Sequence, residues 1–559
     1  MMDAELRLRV SRWIGMLGIA LLCAHSGQRQ VWGQSPSIAV EEPVASSKSD
    51  AGSKLSREIA ALLDDPAVAR AHWGIAVRAL DGRSIYSLNE GQLFQPASNA
   101  KLFTTAAAVH LLGADRRFTT VLEGQPGSRG DAELKGDLVL HGGGDGNLSG
   151  RTVPYVEAAD RRKRPQVEAD PLRYLQEMAD AVVAAGVKRV LGDVVGDDTL
   201  FPWEPYPADW AIDDAVWGYG APVSALSVND NQIRVTVNAG EKAGQAATVA
   251  LDPAVPYYTM NPSVLTIAAK SPDGVAIDRE LGSRVLKVSG KIAAQAGPDV
   301  EEVAIQDPAE YAAIALKEML EARGVKVDGR ARAQHREPSD PQSFSKQVAE
   351  TLPDMPKEAL GPISKLITGK SVCLDACPLR IEHTSPTVIE DIVVTNKTSQ
   401  NLHAELLLHQ LGKAYGSDGS TAQGVRMVRQ FLLNAGIDKD DFAFFDGSGL
   451  SGHDLVTPRA TVKLLQYAAG QPWFEEWKKS LPVGGVDGSL EGRFTKAPLQ
   501  GKVFAKTGTL GEARALSGYV ECASGRTVIF SILVGNHPPQ SHADRDVMDK
   551  MVEAIAADD

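Results

Sequence analysis

The chain has 559 residues, a formal net charge of −13, 43% hydrophobic residues and 23% charged residues. This is the composition of a soluble globular protein, too long for one ordinary core, so two or three domains are expected. The acidic balance without basic blocks argues against nucleic acid or anionic lipid as a partner.

Residues 1–33 read as a secretory signal. Arg7, Arg9 and Arg12 precede an apolar core from Trp13 to Ala24, which is too short to span a bilayer comfortably. Cleavage fits after Ser26 or after Gly33, and a retained membrane anchor is the competing reading. Cys23 follows Leu22 rather than a small residue, which argues against a lipoprotein site. The expected location is therefore the periplasm, after export across the inner membrane, either free or peripheral to the membrane. Past the signal, Cys373, Cys377 and Cys522 are too few for a disulfide framework. Cys373 and Cys377 are close enough in sequence to bridge or to stay as thiols. No histidine cluster has metal-ligand spacing, so neither a metal nor another cofactor is expected.

Residues 34–53 read as a flexible lead-in. Leu55, Ile59, Leu62 and Leu63 then mark an amphipathic helix, and Trp73–Leu80 and Ser84–Leu88 mark two strands joined at Asp81-Gly82. Next, Pro96-Ala97-Ser98-Asn99-Ala100-Lys101 opens an Ala/Leu-rich helix ending near Gly113. Positions i and i+3 share a helix face, so Lys101 sits beside the Ser98 hydroxyl, and a desolvated neutral lysine can take its proton. The same spacing at Ser343 and Lys346 lacks an apolar helical run and reads as a decoy.

Residues 116–306 form an inserted β-rich region of two nested domains, in which Gly142-Gly143-Gly144 reads as a structural turn rather than a phosphate loop. A helix is expected over 171–187 and another over 309–323, while 334–380 looks like a further insertion. A polar loop carrying Ser399 and Asn401 leads into an apolar-faced helix. Ser87/Asn89 and Ser227/Asn229 have the same spacing without that setting. Turns follow at Asp446–Ser451 and Val483–Leu490. Val503–Leu510 is a strand from which Lys506 emerges, and Ala515–Val520 and Val528–Val534 are two more. Met548, Met551, Val552 and Ile555 close the chain as a helix. His110 and His403 lie in helical runs and are expected to pack, whereas His453 in its loop is open to substrate contact.

Ser98-x-x-Lys101, Ser399-x-Asn401 and Lys506-Thr507-Gly508, in that order, form the signature of penicillin-binding proteins and serine β-lactamases. The chain resembles more narrowly the low-molecular-mass class C penicillin-binding proteins, the D-alanyl-D-alanine carboxypeptidase/endopeptidase family. The resemblance runs from about residue 55 to 557 apart from 334–380, and includes Tyr219–Leu226, Asp446–Ser451, Lys506–Leu510 and Leu516–Val520. It also includes the gap of roughly 300 residues between Ser98 and Ser399, which holds extra β-rich domains in that family.

The resemblance implies an α/β penicillin-binding transpeptidase-like domain, made of 54–115 and 307–559, with a five-stranded antiparallel sheet flanked by helices. It implies that Ser98 attacks the carbonyl of the penultimate D-Ala and Lys101 takes its proton. Ser399 would relay a proton to the leaving nitrogen, and Asn401 would hold Lys101 and the substrate amide. Lys506 and Thr507 would bind the terminal carboxylate, Gly508 completes that strand motif, and the N–H groups of Ser98 and Thr509 would form an oxyanion hole. Asp197 matches the residue that contacts the ammonium of a diaminopimelate side chain; a turn aspartate is the alternative. Gly452 stands where the family usually has Arg, which puts recognition of a side-chain carboxylate in doubt. The implied partners are peptidoglycan stem peptides, with β-lactam antibiotics as inhibitors; oligomeric state is not indicated. A serine β-lactamase and a non-catalytic peptidoglycan-binding or penicillin-sensing module are the competing readings.

Overall fold

A computed structural model describes residues 53–124, 132–163, 169–350, 379–538 and 541–558. The signal and nearly all of the lead-in, Cys373 and Cys377, and most of the 334–380 insertion lie outside the described residues.

The first core is built on a five-stranded antiparallel sheet. Its order is Val503–Thr509, Arg514–Glu521, Thr527–Gly535, His72–Ala79, Ser84–Leu88. The expected hairpin closes through Gly82 at φ +89°, a left-handed conformation that glycine adopts without steric cost. The strand Thr527–Gly535 is a nearly continuous apolar run because both faces of the sheet are covered. Val528, Phe530, Ile532 and Val534 join Ile75 and Val77 on one face, under the helices Lys54–Leu63 and Ala543–Asp558. Ile529 and Leu533 join Ala76 and Tyr519 on the other face. There they meet Ala100–Leu112, Val388–Lys397, Asn401–Tyr415, Thr421–Asn434 and Pro458–Ala469. This is the α/β fold expected from the sequence.

A second five-stranded sheet runs Ala331–Gln334, Val194–Asp197, Leu138–His141, Thr119–Gly124, Leu379–Thr384, mixing parallel and antiparallel pairs. Two three-stranded sheets over 232–304 and a small one joining Lys326–Val327, Arg189–Val190 and Glu133–Leu134 complete the β-rich region. The helix Pro308–Ala322 is capped by Asp307, with Pro308 in its first turn. Sequence placed this helix in the peptidase domain, yet its buried Ala312, Leu316 and Leu320 belong to the second core. An amphipathic helix does not declare which of two apolar sheets it will cover. Gly142 and Gly143 form a turn pressed against backbone: a Cβ on either would fall 2.4 Å from Ala225 O or 2.2 Å from Thr119 O.

The segment before Ser399, read as a polar loop, is helical up to Lys397. Its polar residues disguise the helix because they point inward. Asn396 donates to Ser480 Oγ, and Lys397 donates to both carboxylate oxygens of Asp487 at 2.7 Å. Only Thr398–Gln400 separates it from the helix Asn401–Tyr415. Among the described residues, no helix is long and apolar enough to cross a membrane.

Candidate active site

Ser98 sits in a single 3₁₀ turn, Ala97–Asn99, immediately before the helix Ala100–Leu112. Ala97 has φ +46°, an unfavourable region for a residue with a Cβ, and the turn is held there from several sides. Asn99 Nδ2 donates to Ser517 Oγ (2.8 Å), which donates to Ser531 Oγ (2.9 Å), tying the turn to two central strands. Gly508 and Gly449 close over it. A Cβ at 508 would lie 2.6 Å from Pro96 O and 3.0 Å from Ser98 N, and one at 449 would lie 1.8 Å from Ala97 O. Both glycines are therefore demanded by close approach to the serine turn.

Lys101 is fully buried one turn behind Ser98. Its Nζ donates to Ser98 Oγ (2.9 Å), Asn401 Oδ1 (2.6 Å) and the Ser448 carbonyl (2.7 Å). Burial lowers its pKa to about 8, against the opposing pull of Asp446, Glu405 and Asp454. Lys506 is also fully buried and donates to Ser399 Oγ (2.8 Å) and to the Thr507 carbonyl (2.9 Å). Burial, and next the charge of Lys101, hold it well below the usual lysine range. Asn401 Nδ2 donates to the Tyr219 carbonyl at 2.8 Å, so the inserted region touches the site. Thr507 Oγ1 shares a hydrogen bond with Ser489 Oγ at 2.6 Å.

The structure thus forms two hydrogen-bonded groups, Ser98–Lys101–Asn401 and Ser399–Lys506–Thr507, with Ser399 and Asn401 two residues apart at the start of one helix. Gly508 and Thr509 extend the second group along the strand Val503–Thr509. Asp197 is linked elsewhere. Its carboxylate accepts from Thr199 N (2.8 Å) and stands 2.9 Å from His141 Nδ1. The Gly452 carbonyl accepts from Gln95 Nε2 at 2.8 Å, three residues before Ser98. His453, instead of reaching the serine, pairs with Asp209 at 3.1 Å. His110 packs in an aromatic cluster with Phe431, Tyr467 and Trp473. The decoy Ser343 precedes the short helix Phe344–Ala349, with Lys346 in its last turn.

Several contributors were not singled out from sequence. The Ser448 carbonyl is a third partner of Lys101, and the turn bearing it is wound around the buried Asp446. That carboxylate accepts from the N–H groups of Ser448, Gly449 and Ser451 and from Trp210 Nε1. Glu405, buried one turn after Asn401, accepts from Gly447 N (3.0 Å). Burial, and then the Asp446 charge, raise its pKa to about 8, while Asp454 is pushed well above the carboxylate range by the same causes. A glutamate at i+4 from Asn401, inside the apolar run of that helix, was the available signal. For Ser489 there was none beyond its turn.

A model of the D-Ala-D-Ala carboxypeptidase 3 (S13) family matches residues 55–360 and 364–557. The chain is 34% identical over 498 residues to a D-alanyl-D-alanine carboxypeptidase of an Actinomadura species, covering 87% of this chain and 81% of that one. It is 24% identical over 465 residues to the D-alanyl-D-alanine carboxypeptidase of Haemophilus influenzae, covering 82% and 84%. The crystal structure of penicillin binding protein 4 from H. influenzae has the same fold, with a TM-score of 0.70 at 21% identity over 89% of this chain and 98% of that one. That protein has also been solved in complex with a β-lactam.

Proposed function

The chain belongs to the D-Ala-D-Ala carboxypeptidase 3 family and is a serine-type D-Ala-D-Ala carboxypeptidase, and from that premise we propose that Ser98 is its nucleophile and Lys101 its base. The observation that carries this assignment is the Lys101 amine 2.9 Å from Ser98 Oγ in a fully buried position. With a pKa of about 8, about one Lys101 in ten is neutral at pH 7, enough to accept the hydroxyl proton as Oγ attacks.

The same geometry supports the remaining roles. The substrate's terminal carboxylate, arriving beside Lys506 and Thr507, supplies the negative charge that stabilises a protonated Lys506. Ser399, already bonded to Lys506, passes a proton to the departing D-Ala nitrogen. Asn401 holds Lys101 through Oδ1 and is placed to orient the scissile amide. The N–H groups of Ser98 and Thr509 receive the oxyanion, each such donor contributing about 3–4 kcal/mol to the transition state. C–N cleavage releases D-Ala and leaves an ester on Ser98, which water hydrolyses.

On this reading the substrate is the stem peptide of peptidoglycan, cut as a free tail or as a cross-link, and a β-lactam is a slow acylating inhibitor. The periplasm, reached through the signal at residues 1–33, is the setting. Asp197 keeps a proposed part in binding the ammonium of a substrate side chain, through its site beside His141. Release of D-Ala from a pentapeptide ending in D-Ala-D-Ala by the wild type, and its loss in Ser98→Ala, tests the assignment. Undiminished release by Ser98→Ala would refute it.

A further inference from the structure

A cluster of buried charge next to the Ser98 group takes no part in the chemistry above. His403, fully buried in the first turn after Asn401, has Nδ1 2.7 Å from Asp391 Oδ1 and Nε2 3.3 Å from Asp230 Oδ1. Both partners are carboxylates, so filling both bonds takes an imidazolium with two N–H donors. Asp391 Oδ1 also accepts from Asn147 Nδ2 (2.7 Å), and Asp230 Oδ2 accepts from Arg151 and from Gln400 Nε2 (2.8 Å). Arg151, Asp230, His403 and Asp391 therefore alternate in sign, and their formal charges cancel.

Asp230 comes from the β-rich region, 170 positions before Gln400. It is the middle of three successive residues, Asn229, Asp230 and Asn231, at φ +48°, +54° and +54°. Left-handed backbone is tolerated by Asn and Asp singly; a run of three persists only where its surroundings impose it. Here they do. Asn231 Oδ1 accepts from Val228 N (3.0 Å), Asn231 Nδ2 donates to the Pro222 carbonyl (2.9 Å), and Asn229 Nδ2 donates to the Gln232 carbonyl (2.8 Å). What the strained turn delivers is one carboxylate, aimed at Gln400 and His403. Ser399 is itself held at φ +59°.

We infer that Asp230 is a positioning residue for acylation. It grips Gln400, the middle residue of Ser399-Gln400-Asn401, and the His403 ring behind it, so that Ser399 meets Lys506 and Asn401 meets Lys101. The β-rich region thereby belongs to the catalytic apparatus. The inference rests on Ser98 being the acylated nucleophile.

The test is benzylpenicillin acylation, resolved into non-covalent binding and acylation rate per folded molecule, for the wild type, Asp230→Asn, Gln400→Glu and the double variant. Each single variant is expected to slow the acylation step about tenfold with binding little changed. The double variant should be slower by less than the product of the two single effects, because the Gln400 Nε2–Asp230 Oδ2 bond is lost in both. A cluster serving stability alone would lower the melting temperature and leave the acylation rate per folded molecule at the wild-type value, which overturns the inference. Gln400→Glu, at a partly exposed side chain, keeps an oxygen for the Leu402 N–H and loses the donor to Asp230, and it decides the matter if Asp230→Asn does not fold. A wild type that takes up no penicillin would instead strike down the nucleophile assignment, and this inference with it.

Discussion

Lys506 donates to Ser399 Oγ across 2.8 Å, joining the middle of an edge strand to the three-residue loop between two buried helices. The two residues lie 107 positions apart. Both lysines of the site are fully buried, and the charge of Lys101 makes Lys506 harder to charge. Such a pair is unfavourable as two buried cations, and the proposed mechanism uses the two as proton carriers.

Acylation should therefore follow the neutral form of Lys101. Its lowered pKa, about 8, means the base is mostly protonated below that value and mostly free above it. The second-order rate constant with benzylpenicillin should rise about tenfold per pH unit from pH 6 and level off above about 8. A stopped-flow or quench series across that range measures it, and a flat profile between pH 6 and 8 would remove Lys101 as base.

Lys101→Arg keeps a cation and loses the base, because a guanidinium stays protonated at any working pH. Acylation is expected to fall by about 10²–10⁴-fold, and raising the pH should not restore it.

Gly508→Ala inserts a methyl 2.6 Å from Pro96 O and 3.0 Å from Ser98 N. Strand and serine turn must part to admit it, which displaces the Ser98 N–H and Thr509 N–H relative to each other. A loss of acylation rate of about tenfold or more is expected, since displacements near 1 Å can cost up to about a hundredfold. Kinetics of the purified variant, with its melting temperature, would show this.

Glu405 predicts a pH-dependence of stability. Its folded pKa, about 8, lies above the unfolded value, so the folded state holds the proton more tightly. Its contribution is intact below about pH 4.5 and is lost progressively as pH rises toward 8. Glu405→Gln removes that titration, so the fall in melting temperature between pH 5 and 8 should be shallower than in the wild type. An equal or steeper fall would contradict a protonated Glu405.

Much of the frame was legible because it rests on local rules. The apolar-rich runs Trp73–Leu80 and Val528–Val534, the Asp81-Gly82 turn and the i, i+3 spacing of Ser98 and Lys101 all express short-range patterns. What stayed hidden was long-range. The helix Val388–Lys397 buries its polar residues against partners far along the chain, so no amphipathic stripe marked it. The helix Pro308–Ala322 showed an apolar face without showing which sheet would receive it. Glu405, Asp230 and Ser489 matter through contacts 18 to 173 positions away, which no local pattern announces.

The central claim is that Ser98 carries the acyl group. Intact-mass and peptide mass spectrometry after incubation with benzylpenicillin tests it most directly. One penicilloyl adduct per chain is predicted, on the peptide containing Ser98 and absent from Ser98→Ala. An adduct on any other residue, or none on the folded wild type, would contradict it.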